Sequence, residues 1–225
     1  MMPTRVIPVA LMLTCALALA FLAGCGPATP KEEAVSGDAQ SFIAKAQEAM
    51  DVGRYADAEQ KLQQSLRIDS DSAQAHYLLG NAYARQEQYE KAEQSYLRAL
   101  EIDPSHIDAR SNLGVVLYQQ QRFDRAREAF EAVLQAQPDD ATVHYNLGGV
   151  LATQNELDKA IEHFHRATVL DPQIAEPYLG LGSVYQLQGK NAQAIAALKQ
   201  YLQRAEDPAW RQQAEQMIRD MGGTP

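Results

Sequence analysis

Beyond its first 38 residues, the chain carries apolar residues at the spacing of amphipathic helices. Leu79, Ala82 and Tyr83 show this pattern, since residues three and four positions apart lie on one face of a helix. Dipeptides that end in proline recur along the chain, and the residue before a proline disfavours the helical conformation. We therefore expect helices to end at Asp103-Pro104, Gln137-Pro138 and Asp171-Pro172. The pattern predicts a series of short helices.

Small residues return along the chain with a period of 34. Each glycine of the series follows a leucine, and an alanine comes twelve residues after it. The glycines are Gly80, Gly114, Gly148 and Gly182, and the alanines are Ala92, Ala126, Ala160 and Ala194. A period near 34 with large, small and proline residues at fixed offsets is typical of a helix-turn-helix solenoid. The predicted copies are residues 39–72, 73–106, 107–140, 141–174 and 175–208.

These copies resemble the tetratricopeptide repeat. The second copy fills that family's pattern at Leu79, Gly80, Tyr83, Tyr89, Ala92, Tyr96, Ala99 and Pro104. The first and fifth copies match less well, which is expected of terminal repeats because one of their faces has no neighbour to match. The resemblance implies an all-α fold, a right-handed α-solenoid of five helix pairs, whose function is to hold something on its surface.

A further amphipathic segment follows the fifth copy over residues 208–221. Its predicted apolar side consists of Trp210, Ala214, Met217, Ile218 and Met221. The open end of a solenoid exposes apolar surface and requires a cap. We therefore predict that residues 209–225 form a capping helix and tail that cover the last repeat.

The first 25 residues differ in kind from the rest. Arg5 precedes the almost wholly apolar residues 6–22, and Leu22-Ala23-Gly24-Cys25 resembles the lipobox of bacterial lipoprotein signals. The resemblance implies that residues 1–24 are removed as a signal peptide and that Cys25 is lipidated. The alternative is an uncleaved transmembrane helix, since the stretch approaches the length that spans a bilayer. Pro8, the small residues before Cys25 and the polar stretch after it favour processing.

Residues 25–38 then form the lipidated cysteine and a predicted flexible tether, which is rich in Pro, Gly and charge. Gly26, rather than an aspartate, follows the cysteine. In common Gram-negative bacteria this resembles lipoproteins that are passed on to the outer membrane. The sequence thus predicts a lipid-anchored protein of the cell envelope, at the periplasmic face of the outer membrane. Only Cys15 and Cys25 exist, so the processed chain has no disulfide.

The charge of the chain argues against polyanionic partners. Without residues 1–24 it carries 19 Lys and Arg (20 less Arg5) against 29 Asp and Glu, a net charge of about −10. Nucleic-acid binding needs a cluster of Lys and Arg that neutralises phosphates, and none is present. Avid adsorption to anionic lipid is disfavoured for the same reason. The predicted membrane contact is the N-terminal lipid alone.

The tetratricopeptide resemblance places a concave groove along the first helix of each copy. The predicted groove residues are Tyr77, Asn81, Ser111, Asn112, Tyr118, Tyr145 and Asn146, with Ile43 and Gln47 at one end and Leu179, Ser183 and Gln186 at the other. The clamp by which some members bind a C-terminal carboxylate is absent, because Tyr77, Thr142 and Asn146 occupy its cationic positions. Asn and Tyr suit a peptide segment or a helix of a protein partner. Binding on the convex side or the edges is the alternative.

No arrangement of residues predicts catalysis. His163 and His165 are two apart on a predicted helix, so their side chains diverge by about 200° and cannot share a metal ion. His76 and His144 stand where the repeat has an aromatic residue, which predicts a packing role. The sequence has no Gly-rich phosphate loop, no Gly-x-Ser-x-Gly and no His-Glu-x-x-His. We predict no enzyme activity, no metal, no cofactor and no small-molecule substrate.

The predicted function is therefore that of a membrane-anchored scaffold or adaptor for envelope proteins. Lipoproteins that resemble this chain include those that help secretin rings of type IV pili assemble at the outer membrane. Others dock peptidoglycan hydrolases or proteases, or belong to exopolysaccharide export. A second class is a periplasmic chaperone-like holder with broad binding, and a third is structural self-association.

Overall fold

The computed structural model describes residues 38–225, a range that contains eleven α-helices and no strand. The helices are α1 (Ala39–Asp51), α2 (Tyr55–Ile68), α3 (Ala73–Arg85), α4 (Tyr89–Ile102), α5 (Ile107–Gln119), α6 (Phe123–Ala136), α7 (Ala141–Thr153), α8 (Leu157–Leu170), α9 (Glu176–Leu187), α10 (Asn191–Leu202) and α11 (Pro208–Asp220). The predicted all-α fold is confirmed. No helix in this range is both long enough and apolar enough to cross a bilayer.

The first ten helices pack as five pairs, and each predicted copy contains one pair. Each second helix also packs on the first helix of the next pair, so that one apolar core runs through the stack. The first helices of successive pairs touch one another as well, from α1–α3 to α7–α9. Because the first helices lie closer together, we take their side as the inside of the curve.

The second helices end where the proline dipeptides predict. α4, α6 and α8 stop at Ile102, Ala136 and Leu170, one residue before the residue that precedes the proline. Four of the five first helices begin after a side-chain cap, and α9, which follows Ala175, is the exception. His106 is the N-cap of α5, where its Nδ1 accepts the N–H of Ala109 at 3.3 Å. Ser72 and Asp140 cap α3 and α7 in the same way.

The recurring glycines make room for a side chain of the second helix in the same pair. A Cβ on Gly80 would lie 2.5 Å from the ring of Tyr96, and a Cβ on Gly148 would lie 2.7 Å from that of Phe164. Phe130 meets Gly114 in the same way. Phe130 and Phe164 are 1% and 3% exposed, so both rings are packed between helices.

The turn within each pair places one residue in the left-handed region. In the first and fifth pairs this residue is Gly53 or Gly189, with φ of 75° and 70°. The three middle pairs use Glu87, Gln121 and Asn155 instead, with φ of 59°, 59° and 61°. The five residues are 34 apart, so the turn geometry repeats even where the glycine does not.

The last helix covers the fifth pair, but with less of its apolar side than predicted. Ala214 and Ile218 of α11 are buried with Leu198 and Tyr201 of α10, and Met217 and Met221 pack against the same cluster. Trp210 is 51% exposed, so its assignment to the covering face is wrong. The reason is its place in the first turn of α11, which borders a cavity rather than a neighbouring helix.

Candidate partner groove

Some predicted site residues precede the described part of the chain. Cys25 and the predicted signal peptide at residues 1–24 lie outside the described residues, as does the tether apart from its last residue. That residue, Asp38, is the N-cap of α1, and its carboxylate accepts the N–H of Ser41 at 2.5 Å. The ordered repeat array therefore begins at the end of the predicted tether.

The structure brings three predicted groove residues together on the inner side of the second and third pairs. Tyr77, Asn81 and Asn112 border a cavity of about 500 Å³ that is lined from α1, α3, α4 and α5. The Tyr77 ring lies against the ring of His106, with centroids 4.6 Å apart. We call this space the first cavity.

Three further predicted groove residues lie together on the inner side of the third and fourth pairs. Tyr118, Tyr145 and Asn146 border the second cavity, of about 200 Å³, between α5 and α7. Val115 and Gln119 of α5 border both the first and the second cavity, so the two are continuous along that helix.

Tyr145 also borders a third cavity of about 620 Å³ at the other end of the array. This third cavity is lined by α7, α9, α10, α11 and the loops between them, and Leu179 is among its residues. The three cavities together form one trough along the first helices, from Met50 of α1 to Trp210 of α11. We use the word trough for these three cavities.

Asn81 and Asn112 are partly engaged with each other rather than free. The Asn81 Oδ1 accepts the hydroxyl of Tyr96 at 2.7 Å and the Nδ2 of Asn112 at 2.9 Å. Burial, followed by the neighbouring Tyr77, raises the pKa of Tyr96, so its hydroxyl stays protonated and donates. Asn81 therefore offers a partner only its amide N–H groups, whereas Asn112 keeps its carbonyl oxygen and one of its two N–H groups.

Of the seven central groove residues predicted, Ser111 alone borders none of the three cavities in residues 38–225. Of the predicted end residues, Leu179 borders the third cavity, whereas Ile43, Gln47, Ser183 and Gln186 border none of the three in this range. It occupies the same repeat position as Tyr77 and Tyr145. The long tyrosine side chains reach the trough from that position, whereas the short serine side chain does not.

The sequence reasoning missed Arg85, Val115 and Gln119, which all border the trough. Val115 is 37% exposed, so part of an apolar side chain is open to a partner at this point of the trough. The repeat pattern could have identified Val115, because it stands at the same repeat position as the predicted groove residue Asn81. Gln119 likewise stands at the repeat position of Arg85.

Charge lies at the ends of the trough and not at its centre. The second cavity has no charged residue among the described residues that line it. The first cavity contains Arg85, and the third contains Glu176, Glu206, Asp207 and Arg204. A partner therefore meets a neutral middle between two charged ends.

The histidines form a pair that the sequence did not predict. His144 on α7 and His163 on α8 bring their Nδ1 atoms within 2.9 Å. The Nε2 of His144 donates to the carbonyl of Pro138 at 3.0 Å, so the Nδ1 of neutral His144 accepts from His163. His165 instead contacts the Tyr185 hydroxyl at 3.0 Å. No three His, Cys, Asp or Glu residues between 38 and 225 form a group that could hold a metal ion.

Comparisons with known proteins agree with the repeat pattern. A sequence model described as "Tetratricopeptide repeat" matches residues 43–107 and 111–175, and a second with that description matches residues 175–208. A search of curated proteins found no relative that matches.

Several solved structures share the architecture. A MamA fragment from Desulfovibrio magneticus RS-1 is 26% identical and superposes with a TM-score of 0.70, covering 74% of this chain and 95% of its own. PilF of Pseudomonas aeruginosa is 21% identical, with a TM-score of 0.72, and covers 81% and 86%. YrrB, described as a TPR protein with an unusual peptide-binding site, is 24% identical, with a TM-score of 0.65, and covers 80% and 92%. The last two likenesses concern the fold alone.

Proposed function

Because this chain belongs to the tetratricopeptide repeat family, we propose that it is a lipid-anchored adaptor of the bacterial envelope that holds a segment of a protein partner in its trough. The chain is a scaffold for protein–protein interaction, and proteins of this family are typically non-enzymatic. The partner site, the anchor and the location are parts of the proposal.

The observation that carries the partner site is the continuity of the trough. The first and second cavities share Val115 and Gln119, and the second and third share Tyr145, so the lining extends from α1 to α11. An elongated site of this kind suits an extended segment or a helix better than a compact small molecule. The centre offers the Asn146 amide and the Tyr118 hydroxyl beside the apolar surface of Val115. These groups bind a peptide through hydrogen bonds and apolar contact without requiring a charge on it.

The test is photo-crosslinking in cells from position 118. A photoreactive amino acid replaces Tyr118, and a matched control carries it at Val169, which is 68% exposed on the second helix α8. We expect a specific protein to be captured from position 118 and not from 169. Capture from 169 alone would contradict the trough and favour the outer side of the array.

The lipid anchor rests on the lipobox-like sequence that ends at Cys25. Cys25→Ser removes the thiol that would carry the diacylglycerol, whereas Cys15→Ser changes a cysteine inside the predicted signal peptide. We expect the first variant to leave the membrane fraction and the second to remain there, because acyl chains supply the membrane affinity. Membrane retention of the Cys25→Ser protein would contradict lipidation and favour an uncleaved transmembrane segment.

For the process, we propose assistance to an outer-membrane assembly such as a type IV pilus secretin. Gly26 after the cysteine supports outer-membrane delivery. A strain that lacks the protein should accumulate secretin subunits as monomers, and normal multimers there would exclude this process. A broad set of clients in a pull-down would instead favour a periplasmic holder.

A further inference from the structure

The third cavity differs from the rest of the trough in its chemistry. It combines the aromatic side chains of Tyr145, Tyr201 and Trp210 with the carboxylates of Glu176 and Glu206. Trp210 is half exposed at its border, although a helix cap would be expected to bury such a side chain. An exposed tryptophan beside a concave surface is a feature of binding sites.

The carboxylates of this cavity are available to a ligand. Glu176 and Glu206 are exposed, and neither forms an ion pair or a side-chain hydrogen bond with any residue between 38 and 225. Asp207 adds a third negative charge, although its carboxylate also caps α11 by accepting the N–H groups of Ala209 and Trp210 at 2.8 and 3.2 Å.

Arg204 is the one basic residue among the described residues that line the cavity, and its guanidinium is hydrogen-bonded to backbone carbonyls. The Arg204 Nε donates to the carbonyl of Pro172 at 2.5 Å, and its Nη1 donates to the carbonyl of Gln200 at 2.6 Å. Its guanidinium also lies over the ring of Tyr178, 4.3 Å from the centroid. Arg204 therefore joins the fourth and fifth pairs and forms no ion pair with the three carboxylates. Its single positive charge against the three negative charges of Glu176, Glu206 and Asp207 leaves the residues that line the cavity with a negative balance.

The negative charge of the cavity affects the pKa values of Tyr145 and Tyr201. Burial and then the Glu176 carboxylate raise the pKa of Tyr145. Burial, Glu176 and Asp207, in that order, raise the pKa of Tyr201, and the Arg211 guanidinium opposes them more weakly. Negative charge and aromatic surface thus share the same space, which is the combination that attracts a lysine or arginine side chain.

We propose that the third cavity binds a basic side chain, arginine or lysine, of the protein segment held in the trough. This inference deepens the proposed function, since it names the partner chemistry at one end of the same site. Arg85 at the opposite end gives the trough a polarity, so the basic residue of the partner lies toward α11. The acidic chain as a whole favours a partner of this charge.

Trp210 is the only tryptophan of the chain, so its fluorescence reports directly on this cavity. The purified full chain is titrated with the blocked pentapeptide acetyl-Ala-Ala-Arg-Ala-Ala-amide, and separately with the same peptide carrying citrulline, which has the shape of arginine without its charge. We expect a saturable change with arginine alone, weakened at high salt because screening reduces attraction between partly exposed charges.

The variants Glu176→Gln and Glu206→Gln test the carboxylates, and Glu162→Gln on α8 is the matched control outside the cavity. Each cavity variant should weaken arginine-peptide binding by about five- to tenfold, whereas the control should leave it unchanged. No saturable change, an equal response to citrulline, or unaltered binding by both cavity variants would overturn the inference. A response that depends only on protein concentration would identify a second copy as the occupant and would overturn it as well.

The two proposals fail separately. Position 118 lies in the second cavity, so capture of a partner there without arginine binding would remove this inference and leave the adaptor. Arginine binding without any capture from position 118 would leave the third cavity as a site for basic side chains and would remove the trough as the partner site.

Discussion

Gly148 and Gly149 are neighbours on α7, yet only the first faces an aromatic ring. A Cβ on Gly148 would lie 2.7 Å from Phe164, whereas a Cβ on Gly149 would have nothing within 4 Å. We expect Gly148→Ala to lower the free energy of unfolding by about 1–3 kcal/mol, because the buried ring must shift. Gly149→Ala should be neutral or raise it by up to about 1 kcal/mol through helix propensity. Chemical denaturation of both variants measures this, and equal effects would contradict the close approach.

His163 makes stability depend on pH in a defined direction. Burial, and then the adjacent His144, lowers its pKa in the folded state. The unfolded chain therefore binds the proton first as pH falls, so stability decreases from about pH 6.5 downward and levels off below the folded-state pKa. The carboxylates of Glu162 and Glu131 oppose this lowering and the Arg127 guanidinium adds to it, each more weakly than burial does.

We expect His163→Gln to reduce the loss of melting temperature between about pH 7.5 and about pH 5. The glutamine amide keeps a donor for the Nδ1 of His144 but does not titrate. His76→Gln is the control, since His76 bonds the Ser70 carbonyl as His144 bonds that of Pro138, while Ser95 stands at the position of His163. An unchanged pH dependence in His163→Gln would contradict the role of the pair.

At the scale of the helix pair, the turn residue with positive φ allows two opposite substitutions to be compared, one that introduces glycine and one that removes it. Gln121→Gly should raise the free energy of unfolding by about 0.5–1 kcal/mol, because glycine adopts a φ of 59° without a steric penalty. Gly189→Ala, at the equivalent turn, should lower it by about 1 kcal/mol. Thermal unfolding of both variants checks the opposite signs. Equal signs would mean that the turn geometry is not shared.

The helix pairs themselves were predictable because their signals are local and repeated. Proline dipeptides mark the ends of α4, α6 and α8, and glycines at a period of 34 mark the close approaches. The family resemblance also placed six of the seven central groove residues beside the trough, whereas the short side chain of Ser111 does not reach it.

What the sequence did not predict depends on contacts between distant residues. The link from Asn112 through Asn81 to Tyr96 joins neighbouring pairs across 31 positions, and no local pattern specifies which amide atom is engaged. The His144–His163 pair requires the relative rotation of α7 and α8. Trp210 fits the apolar face of α11 by spacing, and only the position of α10 shows that this turn lies uncovered.

At the scale of the whole molecule, α11 is the element that closes the array. Removal of residues 208–225 would expose Leu198 and Tyr201, which are 0% and 5% exposed in the intact protein. We expect this truncation to lower the melting temperature and to increase binding of an apolar dye, because the end of a solenoid needs a cover. Trp210→Ala is the control and should leave both properties almost unchanged, since this side chain covers little. An unaltered melting temperature in the truncated protein would show that α11 is not a cap.

In the described part of the chain, every substantial contact between helices lies within a pair, joins neighbouring pairs or attaches α11 to α10. A small rotation between two neighbouring pairs therefore adds to the rotations between the other pairs along the stack. A segment lying in the trough from Met50 to Trp210 would span all of these junctions and fix their sum. A bound segment would then resist bending of the described array. Stretching the protein and binding its partner would both act on the rotations between neighbouring pairs.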